Sequence, residues 1–228
     1  MQTKFVQPSI EILNVRIDEP VTTITDLLLV SICIYAFIGI RKSCKSGLYS
    51  RYFRSYFLIL GLGALTGGLL GHAFQYRLSE QWKLVSWILT LASVVLLVQA
   101  LLEVARPLFS RRLASLISWL NFLIAIPVLI ITIWSVDFSP VKYYAAFGLV
   151  GVAGSLSLYF YKRTRNTGVL VLMGGVGIGL ISAIIYSLEW GISAWFNHRD
   201  LGHIILCFGA YYIYRGAERI INSIVSPG

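Results

Sequence analysis

The side chains best suited to metal or acid–base chemistry are the chain's only three histidines, His72, His198 and His203. Asp26 lies near the start of the first apolar run of the sequence, and Asp200 lies just before the last apolar run. A neutral imidazole is a common zinc ligand, and a carboxylate can orient that imidazole or act as a general base. These residue types predict metal-assisted hydrolysis if the fold brings them into one layer.

The composition indicates which kind of fold would have to do this. Of the 228 residues, 57% are hydrophobic and 13% are charged, and the mean hydropathy is +0.76. A soluble domain with a solvated surface carries more charge than this. The sequence therefore predicts an all-α, polytopic integral membrane protein.

Seven apolar runs are long enough to cross a bilayer, which requires about 20 residues per helix. The predicted spans are 21–40, 55–75, 84–105, 113–135, 143–160, 168–187 and 201–221. The connections between them are short, which favours antiparallel neighbours in one bundle. We therefore expect residues 1–228 to form a single seven-helix transmembrane domain.

The basic residues fall mainly on alternate loops of this arrangement and on the C-terminal tail. The clusters are Arg41, Lys42, Lys45, Arg51 and Arg54; Arg106, Arg111 and Arg112; Lys162, Arg163 and Arg165; and Arg215 and Arg219. The positive-inside rule predicts that these clusters face the cytoplasm, with the N-terminus outside and the C-terminus in the cytoplasm. Anionic lipids at the cytoplasmic face are the expected partners of this charge, and nucleic acid is not.

The same topology places all three histidines near the outer boundary of the membrane. Asp26 should lie about one helical turn inside the bilayer, where an ionisable group requires a partner or a metal. His198 and His203 are five residues apart and so about 140° apart on a continuous helix. Both could bind one metal only if His198 lies before or at the helix start. Alternatively, these groups merely solvate helix ends or form hydrogen bonds between helices.

Two rows of glycines at four-residue spacing lie within predicted spans. The second span contains Gly63, Gly67 and Gly71, and the sixth contains Gly175 and Gly179. Such rows allow close approach of helix backbones in a membrane, so they predict packing seams.

Three short segments, Glu19-Pro20 through Thr25-Asp26, His72 late in the second span, and residues 197–203, resemble a known pattern. The pattern is that of the superfamily of alkaline ceramidases and adiponectin-receptor-like proteins. The resemblance implies seven spans, zinc held by His72, His198 and His203, and a metal-bound water that cleaves lipid amides.

The chain departs from that pattern at several points. The last two histidines are usually four residues apart in the family, and the serine one turn before the second-span histidine is Gly68 here. The family's third-span aspartate has no clear counterpart.

Two functions follow as hypotheses. The first is a membrane-embedded, zinc-dependent hydrolase of a lipid amide or ester, with Asp26 or Asp200 as general base or ligand orienter. The alternative is a non-catalytic lipid-binding or receptor-like seven-helix protein, which the missing serine favours. A transporter is disfavoured by the lack of charges near the membrane midplane, and a retinal protein by the lack of a lysine in the seventh span.

Overall fold

The computed structural model describes residues 7–42 and 47–224. Lys45, one of the basic residues assigned above to the cytoplasmic face, lies outside the described residues.

Seven helical rods make up most of the described chain, and they follow the seven predicted spans. Their bounds are α1 Pro20–Lys42; α2 Leu48–Thr66, continued by a π-helix Gly67–Ala73; α3 Lys83–Ala105; α4 Arg111–Ser135; α5 Ser139–Ala146, a π-helix Phe147–Ala153 and α6 Gly154–Thr164 as one rod; α7 Thr167–Ser187; and α8 His198–Ile224. Short 3-10 turns at Gln75–Arg77, Glu80–Trp82 and Arg106–Leu108 join some of the rods. The helical fold class is therefore confirmed.

Six of these rods are long and apolar enough to cross a membrane, as judged by length and composition within the described residues. The rod α8 is not among the six, although it spans 27 residues. It carries Arg199, Asp200, Arg215, Glu218 and Arg219. These charges lower its mean hydropathy, and many of its apolar side chains are buried inside the protein instead.

The rods form a closed bundle in which sequence neighbours are mostly spatial neighbours. Helix α1 packs between α2 and α8, and the contact between α7 and α8 is the most extensive. Helix α3 packs against α2 and the α5–α6 rod, whereas α4 lies at the periphery against α3 and α5. This order brings the starts of α1 and α8 and the end of α2 to the same end of the bundle.

The predicted glycine seams are confirmed where α2 meets α3 and where α7 meets α8. A Cβ on Gly67 would lie 3.0 Å from Ser86 Oγ of α3, and one on Gly63 would lie 3.4 Å from Leu89 Cβ. A Cβ on Gly175 would lie only 2.6 Å from the backbone nitrogen of Ile213 in α8. The backbones of α7 and α8 therefore touch, as small residues at a helix interface allow.

One element was not expected from the all-α prediction. Strands β1, Ile10–Ile12, and β2, Val15–Ile17, pair antiparallel just before α1. Leu13 and Asn14 form the turn, with φ of 51° and 63°. Positive φ at both central residues is typical of the two-residue hairpin turn whose twist matches the strands. The backbone N–H of Asp18, which follows the hairpin, donates to the carbonyl of Ala73, so this segment is held at the end of the α2 rod.

Candidate functional site

The site lies where α1 begins, and its first component is Asp26. This residue is one and a half turns into α1 and is 4% exposed. Thr22, Thr23 and Thr25 are also buried on this first part of the helix. The hydroxyl of Thr23 donates to the carbonyl of Gly68 at 3.3 Å, which ties α1 to the end of the α2 rod. A polar layer between α1 and its neighbours is therefore already present in the first two turns.

The second component is His72, which lies in the π-helix that ends the α2 rod. Short π segments inside helices are frequent at functional sites, because they turn side chains away from the α-helical register. Gly68 in this segment faces Asp26, and a Cβ there would lie 3.0 Å from Asp26 Cβ and 3.4 Å from Oδ2. The glycine therefore leaves the space that the carboxylate occupies.

The third component is His203, in the second turn of α8, and it completes a cluster with the first two. Asp26 Oδ1 lies 3.5 Å from His203 Nδ1, and Asp26 Oδ2 lies 3.8 Å from His72 Nε2. The centroids of the two imidazole rings are 6.2 Å apart. Thr25 Oγ1 lies 3.2 Å from His203 Nδ1. We call Asp26, His72 and His203 the Asp–His–His cluster.

A glutamate orients the His72 ring from the other side. Nδ1 of His72 lies 2.5 Å from Glu19 Oε2, and Arg199 of α8 donates to Oε1 of the same carboxylate. Burial by itself raises the pKa of Glu19, but the hydrogen bond and charge of His72 and the charge of Arg199 outweigh it and lower this pKa to about 2. In the neutral form of His72 that donates Nδ1–H to Glu19, the lone pair is on Nε2, which faces Asp26.

Asp200 occupies a different place from the one predicted for a general base. Its side chain is fully buried, and Oδ1 accepts from Thr22 Oγ1 at 2.6 Å. Oδ2 accepts from the backbone N–H of Asn197 at 2.7 Å and from Gln7 Nε2 at 3.1 Å. Both oxygens are thus occupied with holding the start of α8 against α1 and the N-terminal segment. Asp200 therefore supports the position of α8.

His198, predicted as a third ligand, begins α8 but faces α7. Its ring packs edge-on against the ring of Tyr186, with centroids 5.4 Å apart. The structure therefore brings His72 and His203 together with Asp26, and it places His198 against the aromatic surface of α7. The five-residue spacing to His203 accounts for this, because both residues lie in one continuous helix and so project about 140° apart.

The donor types of the cluster suit a metal, and one of its atoms has no hydrogen-bond partner among the described residues. In residues 7–42 and 47–224, no group of three or more His, Cys, Asp or Glu side chains is arranged so that it could hold a metal ion. Yet Asp26 Oδ2 is buried and finds no hydrogen-bond donor among the described residues. Two atoms bound to one tetrahedral zinc at about 2.0–2.1 Å are about 3.3 Å apart, whereas the two histidines lie 3.5 and 3.8 Å from different oxygens of Asp26, so the three side chains would have to draw together around a metal. An Asp–His–His cluster is a chemically suitable donor set.

Sequence reasoning missed three participants, namely Glu19, Arg199 and Gln7. Glu19 and Arg199 lie inside the segments that carry the family resemblance, but neither was assigned a role there. Gln7 is 5% exposed, and its amide contacts Asp200, Trp195 and the first turn of α1. A glutamine in a polar N-terminal segment carries no pattern that would have identified this contact.

One family model matches the chain over residues 21–222, and it is described as DUF6962, a family of unknown function. The chain belongs to this family. The match begins two residues after Glu19 and contains every member of the Asp–His–His cluster. A search of curated proteins and a search of solved structures return no match.

Proposed function

We propose that this DUF6962 protein is a membrane-embedded, zinc-dependent hydrolase of a lipid amide or ester. The observation that carries the proposal is the buried Asp26 carboxylate, which lies between two histidines and has one oxygen without a donor among the described residues. An ionisable group buried in an apolar bundle is costly, and such groups in membrane proteins usually serve function. The resemblance to alkaline ceramidases supports the same chemistry.

Each residue of the cluster has a role that its contacts support. His72 and His203 would hold the zinc together with Asp26. A bound zinc lowers the pKa of a coordinated water to about 7 and polarises a carbonyl oxygen. Asp26 would bind the zinc through Oδ1, which leaves Oδ2, an atom without a hydrogen-bond donor among the described residues, to accept a proton. Glu19 keeps the His72 proton on Nδ1, and Thr25 Oγ1 lies beside Nδ1 of His203.

The position of the cluster suggests a lipid substrate. It lies at the end of the bundle where α1 begins, which corresponds to the interfacial layer if the rods cross a membrane. The carbonyl groups of lipid amides and esters lie at that depth. A substrate could therefore reach the cluster from the bilayer with its acyl chain still in the hydrocarbon layer.

The proposal includes a membrane topology of seven spans, with α8 as the seventh. Helix α8 is about 40 Å long at 1.5 Å per residue, enough to cross the hydrocarbon core. Large apolar side chains also face outward from the bundle: Trp134 is 88% exposed and Trp119 is 66% exposed. On a soluble protein a surface of this kind would cause aggregation, whereas lipid would cover it.

We propose that the N-terminus is outside and the C-terminus is cytoplasmic, as the basic clusters indicate. In a Cys44→Ser background, Glu80→Cys should react with a membrane-impermeant thiol reagent on intact cells, while Arg112→Cys should react only after permeabilisation. Both parent side chains are exposed, and Cys33 and Cys207 are buried. The opposite labelling pattern would reverse the proposed orientation.

The hydrolase proposal is tested by fatty-acid release in reconstituted vesicles. Wild type should release fatty acid from a ceramide, a diacylglycerol or both, and Asp26→Asn should reduce the rate at least about 100-fold, the lower range for losing a general acid–base group. Glu80→Gln, an exposed acid with the same change in chemistry, should leave the rate unchanged. A rate that Asp26→Asn leaves intact would exclude this site as the source of the activity.

A non-catalytic lipid-binding function is the second candidate, and Gly68 favours it. The resembling enzymes carry a serine at this position, and here any side chain would touch Asp26, since a Cβ would lie 3.0 Å from Asp26 Cβ. Wild type that binds zinc and retains lipid but releases no fatty acid from amides or esters would support this candidate over the hydrolase.

A further inference from the structure

A polar cleft lies at the opposite end of the bundle from the Asp–His–His cluster. It has a volume of about 720 Å³ and lies between the end of α6, the start of α7 and the last turns of α8. Its polar lining includes Thr164, Arg165, Asn166, Arg219, Asn222 and Ser223. None of these residues takes part in the function proposed above.

The walls of this cleft are fixed by contacts between the two sides. Asn166 Nδ2 donates to Ser223 Oγ at 2.6 Å, which joins the α6–α7 connection to α8. A Cβ on Gly168 would lie 2.9 Å from both Arg219 Cβ and the backbone nitrogen of Ile220. Helices α7 and α8 therefore touch at the base of the cleft and leave its mouth open.

The backbone of Arg165 is held in an unusual conformation at the rim. Its φ is 56°, in the left-handed region, and its N–H donates to the carbonyl of Tyr161 at 2.8 Å. A residue with a side chain pays a conformational cost there, which asparagine tolerates better than most. The Arg165 guanidinium also lies over the Tyr161 ring, 5.8 Å from its centroid. Both contacts fix an arginine at the mouth of the cleft.

Among the described residues, the cleft carries positive charge. Two arginines line it, and no acid of the described chain is in the lining. Glu218, the residue beside Arg219, forms its ion pair with Arg215 at 2.9 Å and accepts from Tyr214 Oη at 3.0 Å. The negative charge of Glu218 is therefore paired with Arg215, which is not part of the cleft lining. The cleft combines two guanidinium groups with the side-chain amides of Asn166 and Asn222, a set suited to a phosphate group.

We propose that this cleft binds the phosphate headgroup of an anionic membrane lipid. Its volume is larger than a bare phosphate requires and accommodates a phosphate with an attached glycerol or sugar. Its place at the basic end of the bundle, where anionic lipids would be met, agrees with the proposed cytoplasmic face. The same chemistry could recognise a soluble phosphate, so the test must separate these two sources. The proposal does not depend on zinc or on hydrolysis.

The test uses the purified full-length protein in detergent and measures its thermal unfolding during three separate titrations. The probes are dioctanoyl phosphatidic acid, dioctanoyl phosphatidylcholine and inorganic phosphate. The variant pair is Arg165→Asn with Arg219→Gln, since asparagine keeps the left-handed backbone while removing the charge. The matched control is Arg111→Gln with Arg112→Gln, which removes two exposed arginines elsewhere at the basic end. Arg165→Asn alone is measured as well, in case the pair does not fold.

Phosphatidic acid should raise the unfolding temperature of wild type and of the control pair, and phosphatidylcholine should not. The Arg165/Arg219 pair should need at least fivefold more phosphatidic acid for the same shift, and Arg165→Asn alone should show part of this loss. An equal response to inorganic phosphate, lost in the same variants, would support the phosphate site but assign it to a soluble ligand. No shift in wild type, or the same shift in the Arg165/Arg219 pair and in Arg165→Asn, would overturn the proposal.

Discussion

Glu19 and His72 are 53 residues apart in the chain, yet Oε2 of the glutamate lies 2.5 Å from Nδ1 of the histidine. This contact joins the residue before α1 to the π-helix at the end of the α2 rod. It directs the other ring nitrogen, Nε2, to the Asp26 carboxylate. A carboxylate behind a histidine in this way fixes both the tautomer and the orientation of a metal ligand.

Replacing Glu19 with glutamine should therefore weaken zinc binding without removing any ligand. Loss of such an orienting carboxylate typically costs 10–100-fold in metal affinity, so we expect at least about a tenfold rise in the zinc dissociation constant of Glu19→Gln. Competition with a chelator of known affinity measures this. Glu80→Gln is the control, because Glu80 is exposed and pairs locally with Lys83. Equal affinities of Glu19→Gln and wild type would remove the orienting role.

The acid stability of the protein should also depend on Glu19. Its pKa in the folded protein is about 2, below the ordinary value of 4.5. A carboxyl group with a lowered folded pKa stabilises the protein above its unfolded pKa, and the contribution is lost as pH falls towards the folded pKa. Unfolding temperatures in detergent should therefore fall between about pH 4.5 and pH 2.

Glu19→Gln should lack that part of the pH dependence and should be less stable than wild type at pH 6, by about 1–3 kcal/mol for a lost charged hydrogen bond. Glu80→Gln should keep the wild-type profile. Parallel curves for Glu19→Gln and wild type from pH 6 to pH 2 would show that other carboxylates cause the acid sensitivity.

Gly68→Ala should disturb the Asp–His–His cluster through sterics alone. The new Cβ would lie 3.0 Å from Asp26 Cβ, so Asp26 must give way by a few tenths of an ångström, at a cost of about 1–3 kcal/mol for overpacking. Zinc affinity should fall together with unfolding temperature. Gly177→Ala is the matched control, because a Cβ there meets nothing within 4 Å. If Gly68→Ala and Gly177→Ala have the same zinc affinity and the same unfolding temperature, Gly68 does not set the position of Asp26.

At the α7–α8 seam, alanine substitutions of two adjacent glycines should have opposite effects on stability. A Cβ on Gly175 would lie 2.6 Å from the nitrogen of Ile213 and 2.7 Å from the carbonyl oxygen of Gly209, whereas one on Gly174 meets nothing within 4 Å. Gly175→Ala should therefore destabilise the protein strongly or prevent its folding. Gly174→Ala should be neutral or slightly stabilising, since alanine favours a helix by about 1 kcal/mol over glycine. Thermal unfolding of the two variants in the same detergent compares them directly.

Most of the helices could be predicted from the sequence because local hydropathy identifies them, and α8, whose charges lower its hydropathy, still contains an apolar run. The seven apolar runs and the two glycine rows correspond to the helical rods and their seams. The hairpin before α1 was not predicted, because two three-residue strands give too short an alternating pattern of apolar and polar residues to be recognised.

The partners of each site residue could be predicted only in part. Residue type and membrane depth placed Asp26, His72 and His203 in one layer, and the structure brings these three together. The expected depth of a residue in the membrane does not tell which way its side chain points around the helix axis. His198 was therefore predicted to join these three residues, although its ring faces Tyr186. Asp200 was assigned to catalysis because hydropathy does not reveal that Thr22, Asn197 and Gln7 occupy both of its oxygens.

The most direct test of the central claim is the zinc content of the purified protein, measured by elemental analysis in wild type and in three histidine variants. We predict about one zinc per chain in wild type, loss of it in His72→Ala and in His203→Ala, and its retention in His198→Ala. A folded wild type without zinc after zinc is supplied, or retention of zinc in His72→Ala and His203→Ala, would contradict the account.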